Sequence, residues 1–186
     1  MTQALPPENS PGSAISPTTG TGPVAGGAVP EAGPSSALAA DRAGVLAWVD
    51  AWGEQVAGTR MTEARDRFDP AVSGFGTHSD VLRGLDDLFT NQWSRVWPTI
   101  EDFVFHTHDA DVLVSGDRCQ AVAVLGWGST GIHADGSTFD RPGRATLVLV
   151  RDHIDAPWRG LHTHFSLARG VPAVSHGPRS TGGSPS

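Results

Sequence analysis

Apolar residues recur at helical spacing in one stretch of the chain and alternate at strand spacing in the next. Val45, Trp48, Val49, Trp52 and Val56 share one helical face, with Ser36 placed to cap its start and Gly58 to end it. A shorter helix is predicted from Met61 to Phe68, closed by Asp69-Pro70, because proline disfavours the helical conformation in the residue before it. After an extended piece from Ala71 to Phe75, the residues Leu85, Leu88, Phe89, Trp93 and Val96 mark a third helix that Pro98 terminates. From Thr99 the period shortens to two. Ile100 to His108 and Val112 to Val114 read as short strands joined at Asp109 to Asp111. Arg118 to Thr130, Gly143 to Asp152 and Trp158 to Ala168 read as long strands, separated by Gly- and Asp-rich turns such as His133-Ala134-Asp135-Gly136. Helices first and strands after predict an α+β domain, a cone of three N-terminal helices packed on a strongly curved mixed or antiparallel sheet.

Composition sets the limits of that domain. Residues 1–36 hold seven of the fourteen prolines and six glycines, with only Glu8 and Glu31 charged and no aromatic residue. Such a stretch buries too little apolar surface to offset its chain entropy, and the Pro-, Gly- and Ser-rich end of the chain reads the same way. The expected organisation is a disordered tail at 1–36, one domain at 37–170 and a second disordered tail at 171–186. The domain carries all six tryptophans and all seven phenylalanines, and a chain of roughly 135 residues buries about two-thirds of its surface.

Twenty acidic against thirteen basic residues give a net charge of -7, and every basic side chain is arginine. Nucleic acid is not an expected partner, since it requires a dense cationic face. No stretch approaches the ~18 consecutive apolar residues of a membrane helix, and no basic segment followed by an apolar run opens the chain, so a soluble, cytoplasmic protein is expected. The lone Cys119 lies in an alternating apolar run and has no partner for an internal disulfide, which makes it an inert buried thiol.

Three strings sharpen this reading. Phe75-Gly76-Thr77-His78-Ser79-Asp80, followed by Arg83-Gly84-Leu85, resembles the passage into the third helix of SnoaL-like proteins. The run from Arg144 to Asp152, followed by Trp158-Arg159, resembles a strand pair of the same proteins. Leu161-His162-Thr163-His164-Phe165-Ser166 resembles a strand they share with the association domain of calcium/calmodulin-dependent kinase II. In this order, over residues 38 to 170, they resemble the nuclear-transport-factor-2-like superfamily, which includes the SnoaL-like and ketosteroid-isomerase-like proteins. The resemblance implies a homodimer formed through the sheet, a pocket inside the cone, and neither metal nor other cofactor. It does not imply one activity, because the fold hosts isomerases, cyclases, dehydratases, binding proteins and assembly modules.

Strand alternation places His162, His164 and Ser166 on one face of the last strand, and Arg144, Thr146 and Val148 on one face of the strand before it. Turned into the cone, these residues bring a guanidinium, two imidazoles and two hydroxyls to one cavity. That set suits a small anionic or carbonyl-bearing ligand, because arginine offers a planar donor fork. Turned otherwise, the histidines satisfy buried polar groups and Arg144 pairs with Asp140 or Asp152. On the first reading His162 and His164 are the candidate acid–base groups, with His78, Asp80 or Asp102 behind them, and Arg144 stabilises an oxyanion. Phe75, His78, Trp93, Trp97, Trp127, Thr146 and Ser166 complete the candidate ligand-binding set, although Trp93 also sits at the core spacing of its helix.

The pairs His106/His108 and His162/His164 have the spacing of metal ligands on a strand, but no carboxylate or cysteine joins them at ligand spacing, and no metal is expected. The position where steroid isomerases of this fold carry an aspartate falls on Ser73 or Gly74, and the chain has no tyrosine, so that mechanism is not expected either. The function this predicts is binding of a small hydrophobic or anionic metabolite with a carbonyl group, such as a polyketide intermediate, with isomerisation, cyclisation or dehydration as the candidate reactions. The alternative is a non-catalytic dimerisation or ligand-sensing module. The dimer face is expected opposite the cone, at Leu147, Leu149, Leu161 and Phe165, with Val122 and Val124.

Overall fold

The computed structural model describes residues 34–77 and 79–177. Helix α1 (Pro34–Ala57) buries the apolar row read from the sequence, with Val45, Val49, Trp52 and Val56 each at most 3% exposed. It starts two residues before Ser36, which therefore lies inside the first turn and not at the cap. Helix α2 (Met61–Arg65) stops short of Phe68, because Phe68 already opens strand β1 (Phe68–Phe75) and carries Pro70 into extended backbone. Proline is tolerated there since β1 lacks a partner at Pro70: its neighbour β2 (Leu82–Arg83) pairs only with Ser73 and Gly74.

The third predicted helix is a broken one. Short helices α3 (Leu85–Leu88) and α4 (Ser94–Val96) flank a π-helical turn at Phe89–Trp93, and a 3-10 turn over Trp97–Thr99 follows at Pro98. A π turn is an irregularity often found where a helix lines a site. Here it carries Trp93, whose ring stacks on Trp97 at 4.9 Å.

The remaining strands are β3 (Ile100–Phe105), β4 (Asp111–Val114), β5 (Gln120–Ile132), β6 (Thr138–Asp140), β7 (Gly143–Val150) and β8 (Arg159–Leu167). They form one mixed sheet in the order β2-β1-β8-β7-β5-β3, with β4 and β6 also on β5. All pairs are antiparallel except β1 with β8, a parallel pairing between the first strand and the last. Strand β5 is the spine, long enough to hold β3 and β4 along one edge and β6 and β7 along the other. Register shifts interrupt β3–β5, β1–β8 and β7–β8. The shift in β3 coincides with a left-handed backbone at Asp102 (φ 52°), whose carboxylate accepts a hydrogen bond from Thr130 Oγ1 at 3.1 Å. Such bulges bend and twist a sheet, and this one curves over α1. Trp52 sits at the centre of the enclosed core, with ring centroids of Phe68, Phe105 and Phe165 at 5.1, 5.4 and 5.7 Å.

The start of α1 is pinned to the sheet by a buried ion cluster. Asp41, 4% exposed, accepts from Arg151 Nη2 at 2.7 Å and from two nitrogens of Arg118, while the Arg151 guanidinium lies 4.3 Å over the Trp158 ring. The Arg118 hydrogen bond, then Arg151, holds the Asp41 carboxyl below the usual carboxylate range.

Residues 171–177 stay attached to the domain. Ser175 Oγ donates to the Thr99 carbonyl and accepts from the Ile132 amide, and the His176 amide donates to the Ile132 carbonyl at 2.7 Å. The sequence reading ended the domain at 170; residues 171–177 pack on it because two hydroxyl and backbone contacts do what apolar side chains do elsewhere. No helix among the described residues is long and apolar enough to cross a membrane.

Candidate functional site

Between α1, the broken helix and the inner face of the sheet lies a cavity of about 460 Å3, a figure that includes the solvent at its mouth. Trp52 and Val56 come from α1, Gln92, Trp93, Val96 and Trp97 from the broken helix, and Ile100, Phe103, Trp127 and Phe165 from the sheet. Thr77, in the loop after β1, and Arg141, between β6 and β7, complete the wall. The surface is aromatic and flat: Trp93 stacks on Trp97, and Phe103 faces Trp127 at 5.7 Å with 26° between the rings. A second cavity of about 630 Å3, again including solvent at its mouth, shares Gln92 and Val96 with it and is bounded by Val174 and Ser175 of the docked segment.

Arg141 is the only charged side chain of the described lining. It is 2% exposed and no carboxylate pairs with it among the described residues. Backbone bonds in both directions with Ser129 (2.8 and 3.2 Å) hold it beside β5, and the following Pro142 keeps it extended. Its Nη2 donates to Thr77 Oγ1 at 3.0 Å, its guanidinium lies 5.5 Å from the Trp127 ring centroid, and its Nε has no partner. Burial pushes its pKa down from the ordinary arginine range. Trp52 Nε1, Trp127 Nε1 and the Gln92 amide oxygen are likewise buried without a partner. Leaving a buried polar group unsatisfied costs about 1–3 kcal/mol, and four of the residues that carry such an atom line this one cavity.

The β7 and β8 residues expected from the sequence on this wall lie elsewhere, because the sheet turns its other face inward. The buried positions of β7 and β8 are Ala145, Leu147, Leu149 and Thr163, and Phe165 points into the cavity. Arg144, Thr146, His162, His164 and Ser166 alternate with them and so lie on the outer face, where Arg144 pairs in register with Ser166, Thr146 with His164 and Val148 with His162. Phe75 joins them there, its ring 5.6 Å from His162 and 4.3 Å from His164. Ser73 Oγ approaches His162 Nδ1 at 3.3 Å, and partial burial pushes the His162 pKa below the usual imidazole value. The proposed pairing of Arg144 with Asp152 is also replaced, since Asp152 accepts both of its bonds from Arg159 at 3.0 Å. Leu147, Leu149 and Phe165, expected on a dimer face, are interior.

Trp93, Trp97 and Trp127 do line the cavity. His78 lies outside the described residues. Gly74, on the inner face of β1, has no room for a carboxylate: a Cβ there would stand 2.6 Å from Thr163 Oγ1. Among the described residues no group of three or more His, Cys, Asp or Glu is placed to hold a metal. Arg141, Thr77 and Gln92 went unread because nothing along the chain separates Arg141 from Arg144 three residues later. Trp52 carried a signal, its place on the apolar face of α1, but one that reads equally as core.

Known proteins share this architecture. None of the curated proteins matches the chain. Among solved structures it is similar to a nuclear transport factor 2-like superfamily protein from Salmonella enterica, at 20% identity and a TM-score of 0.59 over 78% of this chain and 96% of that one. A ketosteroid isomerase-like protein from Erwinia carotovora is 14% identical with a TM-score of 0.56, covering 70% and 95%. The association domain of Caenorhabditis elegans calcium/calmodulin-dependent kinase II is 11% identical with a TM-score of 0.54, covering 69% and 96%. These likenesses establish the fold. Residues 45–170 match the model of the SnoaL-like domain, and with the broken helix and curved mixed sheet in place the chain belongs to the SnoaL-like family.

Proposed function

We propose that the cone is a binding pocket for a small, largely apolar molecule with a polar end, such as a carbonyl-containing metabolite of the polyketide type. The observation that carries this is the aromatic cavity whose lining includes four residues with a buried polar atom lacking a partner, Arg141, Gln92, Trp52 and Trp127. Flat aromatic walls favour a planar ligand body, and the few polar atoms fix its orientation. Isomerisation, cyclisation or dehydration of such a molecule needs a proton acceptor within hydrogen-bond reach. No Asp, Glu, His or Cys stands among the described lining residues, so binding is the reading the geometry favours over turnover.

Filling the cavity tests this. Val96 is only partly buried and borders the pocket, so Val96→Trp blocks it with little strain on the core. The variant is expected to keep its far-ultraviolet circular dichroism and to bind a neutral ring probe such as 4-fluorobenzyl alcohol at least about tenfold more weakly. Equal binding by wild type and variant would remove the pocket from the account.

A second reading, cytoplasmic self-association, rests on the outer face of the sheet. Val104, Leu113 and Val124 stand there 51%, 66% and 43% exposed. Exposed apolar residues grouped on one face mark interaction surfaces, and the fold is one that an association domain also uses. We expect a dimer at micromolar concentration in sedimentation, and monomers for Val124→Glu, which sets a charge in the middle of that face. A wild-type monomer would rule the interface out.

A further inference from the structure

Among the described residues, Arg141 and Arg151 both have buried side chains, and they are treated differently. Arg151 has a carboxylate, Asp41, at 2.7 Å and the Trp158 face at 4.3 Å. Arg141 is buried to 2% exposure with no carboxylate, one hydroxyl for a partner and an unused Nε. An arginine cannot shed its charge at neutral pH as a lysine or histidine can, and a buried charge without a counter-charge is costly. The protein's own chain supplies an anion for the first arginine and leaves the second facing a cavity.

Resting on the reading of the cone as a ligand pocket, we propose that the ligand is a planar organic monocarboxylate, its carboxylate held by Arg141 and its ring or conjugated body lying between the tryptophan walls. One buried cation fixes one negative charge. The guanidinium offers two parallel N–H groups to a carboxylate's two oxygens, and the indole N–H of Trp127, whose ring lies under the guanidinium, has no partner of its own. Thr77 positions the fork: by accepting from Nη2 at 3.0 Å it fixes the plane of the guanidinium beside the cavity. A phosphate or a dianion fits less well, since the rest of the described lining is apolar or neutral and leaves the second charge unmatched.

The test is a pair of isosteres, 4-fluorobenzoate and 4-fluorobenzamide, followed by fluorine NMR with wild-type protein, Arg141→Met and Arg141→Lys. Wild type is expected to bind the carboxylate at least tenfold more tightly than the amide. Arg141→Met is expected to weaken the carboxylate about thirtyfold, the size of a charged hydrogen-bond pair, while changing the amide less than threefold; Arg141→Lys, with charge but no fork, should fall between. Amide binding equal to or tighter than carboxylate binding in wild type overturns the carboxylate inference and leaves the pocket standing. Failure of both probes, and of 4-fluorobenzyl alcohol, overturns the pocket as well. Should Arg141→Met fail to fold, the wild-type ratio and the lysine variant decide.

Discussion

Asp41→Asn is expected to cost the fold about 3 kcal/mol at neutral pH, the range for removing one partner of a buried ion cluster. The substitution keeps the size of the side chain and takes away the charge that Arg118 and Arg151 share, leaving Arg151 buried against Trp158 with no counter-ion. The start of α1 loses its attachment to the turn between β4 and β5 and to the end of β7. The penalty carries its own pH signature. The folded pKa of Asp41 is lowered, so the stability it contributes is complete above the unfolded carboxylate pKa and is lost as pH falls through the lower folded value. Urea unfolding of wild type and variant should therefore converge below the ordinary carboxylate range and separate above it. A constant difference across that range would mean that the loss is one of packing and not of charge.

Arg141→Met should do the opposite to stability. Here a charge with no counter-ion gives way to an apolar side chain of similar length in an aromatic cavity, and relief of desolvation is expected to exceed the loss of the single Thr77 hydrogen bond. The ligand-free variant should be more stable than wild type by about 1–2 kcal/mol, the scale on which buried ionic groups are outperformed by apolar ones. The same substitution removes carboxylate binding. A gain in stability joined to a loss of ligand is the signature of a residue kept for binding; a large loss of stability would make Arg141 a structural group that ties the loop after β1 to the sheet.

These two arginines also mark where the sequence stops being legible. The row of α1 and the alternation of β5, β7 and β8 are local patterns, set by burial of one helix face and by the period of the strand, and they read directly from the chain. Which face of β7 points inward does not, because Ala145, Leu147 and Leu149 on one side and Thr146, Val148 and Val150 on the other are both largely apolar. The polar row of β8, His162, His164 and Ser166, drew the reading inward toward an expected polar pocket. The protein instead encloses an apolar cavity with Phe165 and leaves the histidines outside, against Phe75.

Arg141 depends on contacts far along the chain. Its burial follows from β6 and β7 folding onto β5 and from Thr77, 64 residues earlier, coming within hydrogen-bond reach. The parallel pairing of β1 with β8 is equally non-local. Pro70 inside β1 and the π turn that ends at Trp93 are departures from regular periodicity, and the pattern of apolar residues registers them only as a boundary placed a few residues away.

The six indole N–H signals of the tryptophans test the central claim most directly, since four of the rings line the cavity and two do not. In a nitrogen-labelled sample titrated with 4-fluorobenzoate, the signals of Trp52, Trp93, Trp97 and Trp127 should move together, with Trp127 moving most because its ring lies under the Arg141 guanidinium and its N–H has no partner. Trp158, which packs under Arg151 at the far end of the sheet, should stay in place, and Trp48 should shift only through its contact with Trp52. Shifts confined to Phe75, His162, His164 and their neighbours on the outer face, with the four cavity indoles unmoved at saturation, would contradict the account.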